Sequence, residues 1–297
     1  MRLLQTNHAR ATRPEKLLDR QEAPAGQACA YCGSPDYHIV VRLADGTAVR
    51  CAHCRLVRTF PYPSFHYDNT LHYIEGYMGR EHVFAELARR FMSFIVRHAA
   101  GREFLEVGSG MGCLLEEARR RGFVARGLEI NDVHVAAMRE RGLTVYRGTL
   151  EQVNLPGGSI DAVCMSHVLE HVQDLRSLLT EVRRVLKPGG VFVTSQPHYA
   201  APLPRLLGQR WLGWDWQRHV WHFDGPALAN VLCAHGLAPL AVEYNSMYHP
   251  FLPAPFTWHV KPLVVQFGAG TLARVENLFG YGDQFFLAAR RHDGDGH

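Results

Sequence analysis

The stretch Phe104-Leu105-Glu106-Val107-Gly108-Ser109-Gly110-Met111-Gly112 restricts this chain more than any other feature. An apolar run that breaks into three closely spaced glycines and then resumes as an amphipathic stretch reads as strand, tight turn and helix. A helix start offers unpaired N–H groups and partial positive charge, so such a turn suits an anionic or strongly polar ligand. The dinucleotide fingerprint places its third glycine three residues after the second, where this chain has Cys113, so NAD and FAD are disfavoured.

Around the turn, apolar strands alternate with helices, which predicts a parallel α/β sheet covered on both faces. Strands are expected at Glu103–Val107, Val124–Ile130, Thr144–Tyr146, Ile160–Ser166 and Val191–Ser195, with closing strands near Leu237–Tyr244 and Gln284–Ala289. Helices are expected to start near Met111, Asp132 and Asp174, the last stopping at Leu186-Lys187-Pro188-Gly189-Gly190, and a further one to span Pro226–His235. Residues 81–98 carry Phe84, Leu87, Phe91, Phe94 and Ile95 at helical spacing, a face fit to pack on that sheet.

With 297 residues the chain has room for one large domain and a smaller appendage. The expected division is a polar tail at 1–27, a compact unit at 28–60, a linker and packing helix at 61–100, and the α/β domain at 101–297, with an apolar insertion or lid at 246–270. A net charge of +4, dispersed along helical stretches, permits nucleic acid without indicating it. No apolar run reaches the ~18 residues of a membrane span, and the N-terminus lacks the apolar block of a signal peptide, so a cytoplasmic location is expected.

Four of the seven cysteines form two pairs, Cys29-x2-Cys32 and Cys51-x2-Cys54, separated by 18 residues. That is the spacing of a closed, structural four-cysteine zinc ribbon, with a hairpin turn at Asp45-Gly46 between the pairs. His38 and His53 lie beside the set without being required by it, and Cys113, Cys164 and Cys233 read as ordinary buried cysteines.

FLEVGSGMG resembles the E/D-x-G-x-G-x-G motif of class I S-adenosylmethionine-dependent methyltransferases, whose fold is a Rossmann-like sheet with helices on both faces. GLEIND, the stretch from Gly148 to Asp174 and EVRRVLKPGGVFVTSQP resemble, in order, the family's second strand, its adenine loop with fourth strand, and its fifth strand. The resemblance implies S-adenosylmethionine as methyl donor and S-adenosylhomocysteine as product. It assigns Glu106, Gly108, Ser109, Gly110 and Gly112 to the donor turn, Glu129 to the ribose hydroxyls, and Ile130, Thr149, Leu150 and Ser166 to the rest of that site. A carboxylate suits the ribose because it accepts two hydrogen bonds at once. Where many relatives carry an acid in the adenine loop this chain has Gly148-Thr149-Leu150, which leaves the N6 contact to Glu151 or to backbone.

On the acceptor side, His167, Glu170 and His171 stand at i, i+3, i+4 spacing, so all three would face one point of a helix. Relatives among ubiquinone-pathway and small-RNA 3'-end methyltransferases hold a divalent ion with a Glu-x-x-Glu-His cluster. Here His167 replaces the first acid, and for Glu170 and His171 a loop-fixing role is favoured over a second metal. His167, His198 and His222 are the candidate catalytic bases; Tyr199 and His219 lie beside them in sequence. The Trp211–Phe223 stretch, with four tryptophans, divides evenly between packing and an acceptor wall.

The favoured function is methyl transfer in biosynthesis to a small-molecule acceptor, a sugar, natural product or other metabolite, with O-, N- and C-methylation unresolved and a homodimer allowed. One rival is an RNA methyltransferase that binds RNA through the ribbon. The other is a non-catalytic regulator that senses S-adenosylmethionine.

Overall fold

Two Cys-x2-Cys knuckles flank a hairpin in the computed structural model, which describes residues 20–22, 28–43, 46–61, 63, 81–245 and 282–292. The expected tail before residue 20, most of the 61–80 linker and the apolar 246–270 segment lie outside the described residues. Strands β1 (Arg20–Glu22), β2 (Asp36–Leu43), β3 (Gly46–Cys51) and β4 (Val57–Phe60) pair antiparallel in that order. Strand β3 starts at Gly46, and Asp45, the other residue of the predicted turn, lies outside the described residues.

The remainder runs α1 (Glu81–His98), β5 (Glu103–Val107), α2 (Cys113–Arg120), β6 (Val124–Glu129), α3 (Asp132–Glu140), β7 (Thr144–Arg147), α4 (Leu150–Val153) and β8 (Ile160–Ser166). It continues with α5 (Leu175–Val185), β9 (Leu186–Pro197), α6 (Pro202–Leu207), β10 (Trp221–His222), α7 (Gly225–Ala234), β11 (Leu237–Asn245) and β12 (Gln284–Arg291). Seven of these strands form one sheet in the order β11-β12-β9-β8-β5-β6-β7, parallel from β9 to β7 and antiparallel at β12 and β11.

The sheet buries both faces because its side chains alternate. Phe104, Ala162, Cys164, Val191 and Val193 face a core closed by α1, α2 and α3 residues such as Phe91, Leu115 and Met138. Leu105, Val107, Val163, Met165 and Phe192 face the other, closed by Leu175, Leu178 and Leu179 of α5 and Leu228, Val231 and Leu232 of α7. Cys29, Tyr31, Cys51 and Leu56 join that second core, so the cysteine unit packs on the sheet's α5/α7 side. Each large apolar side chain taken wholly from water there contributes roughly 1.5–3 kcal/mol.

The small sheet has a fifth strand that no sequence pattern announces. Trp221 pairs with Arg58 and His222 with Val57, so β10 of the large domain covers the outer edge of β4.

Helix α2 starts at Cys113, two residues past Met111, after a turn in which Gly108, Gly110 and Gly112 all hold positive φ. Two expectations need correction. Helix α5 stops at Val185, and β9 starts at Leu186, absorbing Pro188-Gly189-Gly190 as an irregularity between Ile160 and Ala162 of its neighbour. Cys233 is exposed, since Leu228, Val231 and Leu232 occupy the inward stripe of α7; Cys164 is buried and Cys113 half-buried.

Candidate active site

Strand order reverses between β5 and β8, and in open parallel sheets the crevice beyond the carboxyl ends of two such strands is where ligands sit. Beyond β5 lies the glycine turn. Gly108 and Ser109 donate their N–H groups to the Leu128 carbonyl at 2.8 and 3.0 Å, which fastens the turn to β6. A Cβ at Gly108 would lie 2.5 Å from Val168 Cγ2, whereas one at Gly110 would meet nothing within 4 Å. The turn thus abuts the loop after β8 on one side and faces open space on the other.

Glu129 ends β6 with its carboxylate aimed at this turn. Oε2 accepts from Gly110 N–H at 2.7 Å, and Oε1 accepts from Ile130 and Asn131 N–H at 2.8 and 2.9 Å. The helix cap is supplied separately, by the Asn131 side chain accepting from Val133 and His134. Oε2 keeps one acceptor site unused by these bonds, as a hydroxyl ligand requires. Glu106 is buried, has an unpartnered Oε2, and is pushed well above the ordinary carboxylate range by burial and then by Glu129. The remaining expected donor-site residues sit as follows. Ile130 is exposed beside Glu129, Ser166 ends β8, and Thr149 caps α4 by accepting from Gln152 N–H. Leu150 is wholly enclosed in the core.

Beyond β8, Leu169–His171 form a single 3-10 turn instead of the expected α-helical one, and His167 lies before it at φ 54, a left-handed conformation costly for a non-glycine residue. His167 and Glu170 still meet, Nδ1 to Oε1 at 3.1 Å, but His171 does not join them. Its Nδ1 donates to the Arg218 carbonyl at 3.2 Å, and its ring lies edge-on to His219 at 4.7 Å between centroids. The expectation of one point shared by His167, Glu170 and His171 is therefore corrected: Glu170 is shared by two histidine neighbourhoods, and His219 comes from a distant segment.

The His167 ring is fixed from both sides. The Gln284 amide nitrogen approaches Nε2 at 3.1 Å, and the Gln284 amide also donates to Ser195 Oγ. With the amide donating to Nε2, Nδ1 carries the proton and donates to Glu170, and Nε2 is the unprotonated nitrogen, its one lone pair held by Gln284 until that amide is displaced. Burial pushes Glu170 up, but the hydrogen bond from His167 and the neighbouring imidazoles outweigh it and hold the carboxyl at about 2. Gln284 carries no motif; its place follows only from β12 pairing beside β9.

The other candidate histidines are enclosed. His198 donates Nδ1–H to the Gly282 carbonyl at 3.0 Å and packs on Tyr244 and Phe285. His222 places Nε2 2.9 Å from Thr59 Oγ1 with its ring edge-on to Trp214. Burial lowers both, His222 well below the ordinary imidazole range, and it lowers His219 to about 4. Tyr199 donates to Asp224 at 3.1 Å and accepts from Arg50 at 3.3 Å. Trp211 and Trp214 are buried in the core under the small sheet, and Trp221 is buried with its Nε1–H bonded to the Val172 carbonyl, so these three tryptophans serve packing.

The four cysteines converge as their spacing predicts. All four Sγ atoms lie within 4.8 Å of one another, Cys29 to Cys54 at 3.7 Å and Cys32 to Cys51 at 3.5 Å, and none is in a disulfide. Four thiolates ~2.3 Å from one zinc ion would stand roughly 3.8 Å apart, so the donor set fits such an ion.

Residues 80–242 match the methyltransferase-domain family. The chain belongs to it. Solved structures show the same fold: an S-adenosylmethionine-dependent methyltransferase of Archaeoglobus fulgidus aligns with 69% of this chain and 94% of its own at 19% identity and TM-score 0.51. A possible histamine N-methyltransferase of Thermotoga maritima aligns with 75% and 100% at 18% identity and TM-score 0.53. The fold is that of the class I S-adenosylmethionine-dependent methyltransferases.

Curated relatives agree in sequence. A probable S-adenosylmethionine-dependent methyltransferase of Mycolicibacterium smegmatis is 36% identical over 131 residues, 42% of this chain and 47% of that protein. A ubiquinone biosynthesis O-methyltransferase of Paramagnetospirillum magneticum is 36% identical over 141 residues, 42% and 56%. A malonyl-[acyl-carrier protein] O-methyltransferase of Serratia marcescens is 31% identical over 152 residues, 50% and 59%. The chain spans about half the length of these relatives. Among the described residues, no helix is long and apolar enough to cross a membrane.

Proposed function

We propose that the chain methylates an oxygen of a small-molecule acceptor, with His167 as the general base. S-adenosylmethionine, when bound, supplies an electrophilic methyl group on a sulfonium sulfur. The chain's residues would hold it through the glycine turn and the Glu129 carboxylate on the ribose hydroxyls, with Glu106 buried beneath the turn. An in-line attack needs little beyond proximity and exclusion of water, except that a hydroxyl acceptor must lose its proton.

One observation carries the assignment of the base: His167 is held between Glu170 and Gln284 in a strained backbone conformation, on the loop that touches the donor turn through Val168. His167 retains side-chain exposure of 29%, while His198 and His222 are enclosed, which favours it over them. Glu170 orients the ring and stabilises the imidazolium formed when the acceptor hydroxyl displaces the Gln284 amide and gives its proton to Nε2. Two of the named relatives are O-methyltransferases, which supports an oxygen acceptor. Four thiolates holding one structural zinc ion complete the reading.

The test is formation of S-adenosylhomocysteine with a panel of hydroxyl-bearing metabolites, sugars among them, and with RNA fragments. A metabolite is expected to turn over, and His167→Gln is expected to lower kcat by about 10²–10⁴ at unchanged S-adenosylhomocysteine affinity. Turnover of RNA alone, with salt-dependent binding, would replace this reading by the RNA one.

A second reading has its own observation. Glu170, His171 and His219 each place a donor atom within 4.8 Å of the others, and Glu170 Oε2 is buried and unpartnered, a set that suits a divalent ion beside the acceptor. Metal analysis separates the two: one zinc per chain supports the base, and a second metal lost in Glu170→Gln supports the ion.

A further inference from the structure

The last strand of the cysteine unit is spent inside the molecule. Strand β4 is covered along its edge by β10, and Thr59 N–H donates to the Val220 carbonyl at 3.0 Å. Val220 N–H in turn donates to the Glu170 carbonyl at 2.7 Å. Thr59 is 1% exposed, and its hydroxyl is the partner of His222 Nε2. The segment holding His219 and His222 is thus clamped between Thr59 on one side and the Glu170–Val172 loop on the other, where Trp221 Nε1–H is bonded.

The path back to the thiols is short and stiff. Cys51 N–H donates to the Leu56 carbonyl and Arg55 N–H to the Cys51 carbonyl, with Arg55 in a left-handed conformation at φ 65. Leu56 and Val57 then enter the core within three residues of Cys54. On this unit, two arginines that would serve a phosphate backbone are engaged internally. Arg58 is buried, donates to Tyr37 Oη at 2.8 Å and lies over the Tyr37 and Phe60 rings, and Arg50 donates to Tyr199 Oη. The first knuckle is docked as well, with the Arg176 guanidinium over Tyr31 and its Nε–H on the Tyr31 carbonyl.

We infer that the four-cysteine unit is a positioning element of the acceptor side, and that Thr59 is the residue through which it acts. The hydroxyl of Thr59 fixes the His222 ring and its backbone fixes Val220, so metal held by the four thiols orders residues 219–223 against the Glu170 loop. The donor turn is tied to β6 by bonds of its own and meets the Glu170 loop at Val168. The inference rests on the reading that the histidine cluster serves the acceptor. Its test uses no acceptor, so its failure and the failure of that reading are separable.

Amide hydrogen exchange and imidazole nitrogen resonances of the full chain, before and after zinc removal by a chelator, read both regions at once. Zinc loss is expected to cost the Thr59 and Val220 amides tenfold or more in protection, while Gly108 and Ser109 stay within twofold and S-adenosylhomocysteine affinity within threefold. Unchanged protection at Thr59 and Val220, or equal loss at Gly108 and Ser109, overturns the inference. Thr59→Val with zinc retained is expected to move the His222 Nε2 resonance and to speed Val220 exchange at least threefold, with zinc content and S-adenosylhomocysteine affinity unchanged. Thr59→Ser should restore both. A His222 resonance unmoved by Thr59→Val also overturns it.

Discussion

The proposed donor and acceptor ends of the site are built in opposite ways. The proposed donor end is made by neighbours: Glu106 to Gly112 and Glu129 are joined by backbone N–H groups on one carbonyl and one carboxylate. The proposed acceptor end is assembled from Thr59, His167 to His171, His219 to His222 and Gln284, each delivered by a different element. One end depends on the backbone angles of a few glycines. The other depends on the whole sheet closing and on buried imidazoles remaining neutral. Substitutions and pH should therefore separate the two.

The largest effect is expected where the two ends touch. Gly108→Ala puts a methyl group 2.5 Å from Val168 Cγ2 at a φ of +73°, so both turn and loop must move. It should lower stability by about 2–4 kcal/mol and weaken S-adenosylhomocysteine by more than about tenfold, read by thermal unfolding and calorimetry. Wild-type values for both would mean that the crevice is not shared.

Acid should act on the acceptor end first. His219 has a folded pKa of about 4 against an ordinary 6.5, so the unfolded chain binds its proton first as pH falls. Its contribution to stability is complete above 6.5 and is lost as pH drops from there toward 4. Between pH 7 and 5 that loss amounts to about 2 kcal/mol. Glu170, held at about 2, keeps its contribution over this range, and Glu106, raised by burial, acts in the opposite direction. The measurement is the difference between wild type and His219→Gln: the stability lost from pH 7 to 5 should be smaller in the variant by about that amount. Equal losses would contradict a neutral, buried His219.

A smaller effect sharpens the contrast within the donor end. A Cβ at Gly110 meets nothing within 4 Å, so Gly110→Ala pays only for its left-handed conformation, about 1 kcal/mol of stability.

This difference in construction also decides what the sequence disclosed. The sheet strands, the glycine turn and the two cysteine pairs were legible because each is a local pattern: short apolar runs alternating with helices, a strand broken by glycine, cysteines with two residues between them. His167 with Glu170 was legible as an i, i+3 pair, although a 3-10 turn replaced the helix and sent His171 toward His219. Thr59 and Gln284 carried no signal at all. Nothing near Thr59 in sequence marks a partner for His222, since the two meet only after β10 adds to the small sheet. The tryptophan-rich stretch was informative about burial and silent about this pairing, because density of tryptophan reports packing without naming the surface packed against.

The central claim is that the turn at Gly108 to Gly112 and the Glu129 carboxylate form one methyl-donor site. Titration calorimetry with S-adenosylhomocysteine on wild type, Glu129→Ala and Glu129→Gln tests it most directly. Wild type should bind one equivalent, Glu129→Ala should bind at least about 30-fold more weakly through loss of charge-assisted hydrogen bonds, and Glu129→Gln should fall between. No binding by the folded wild type, or equal affinity for all three proteins, would contradict it.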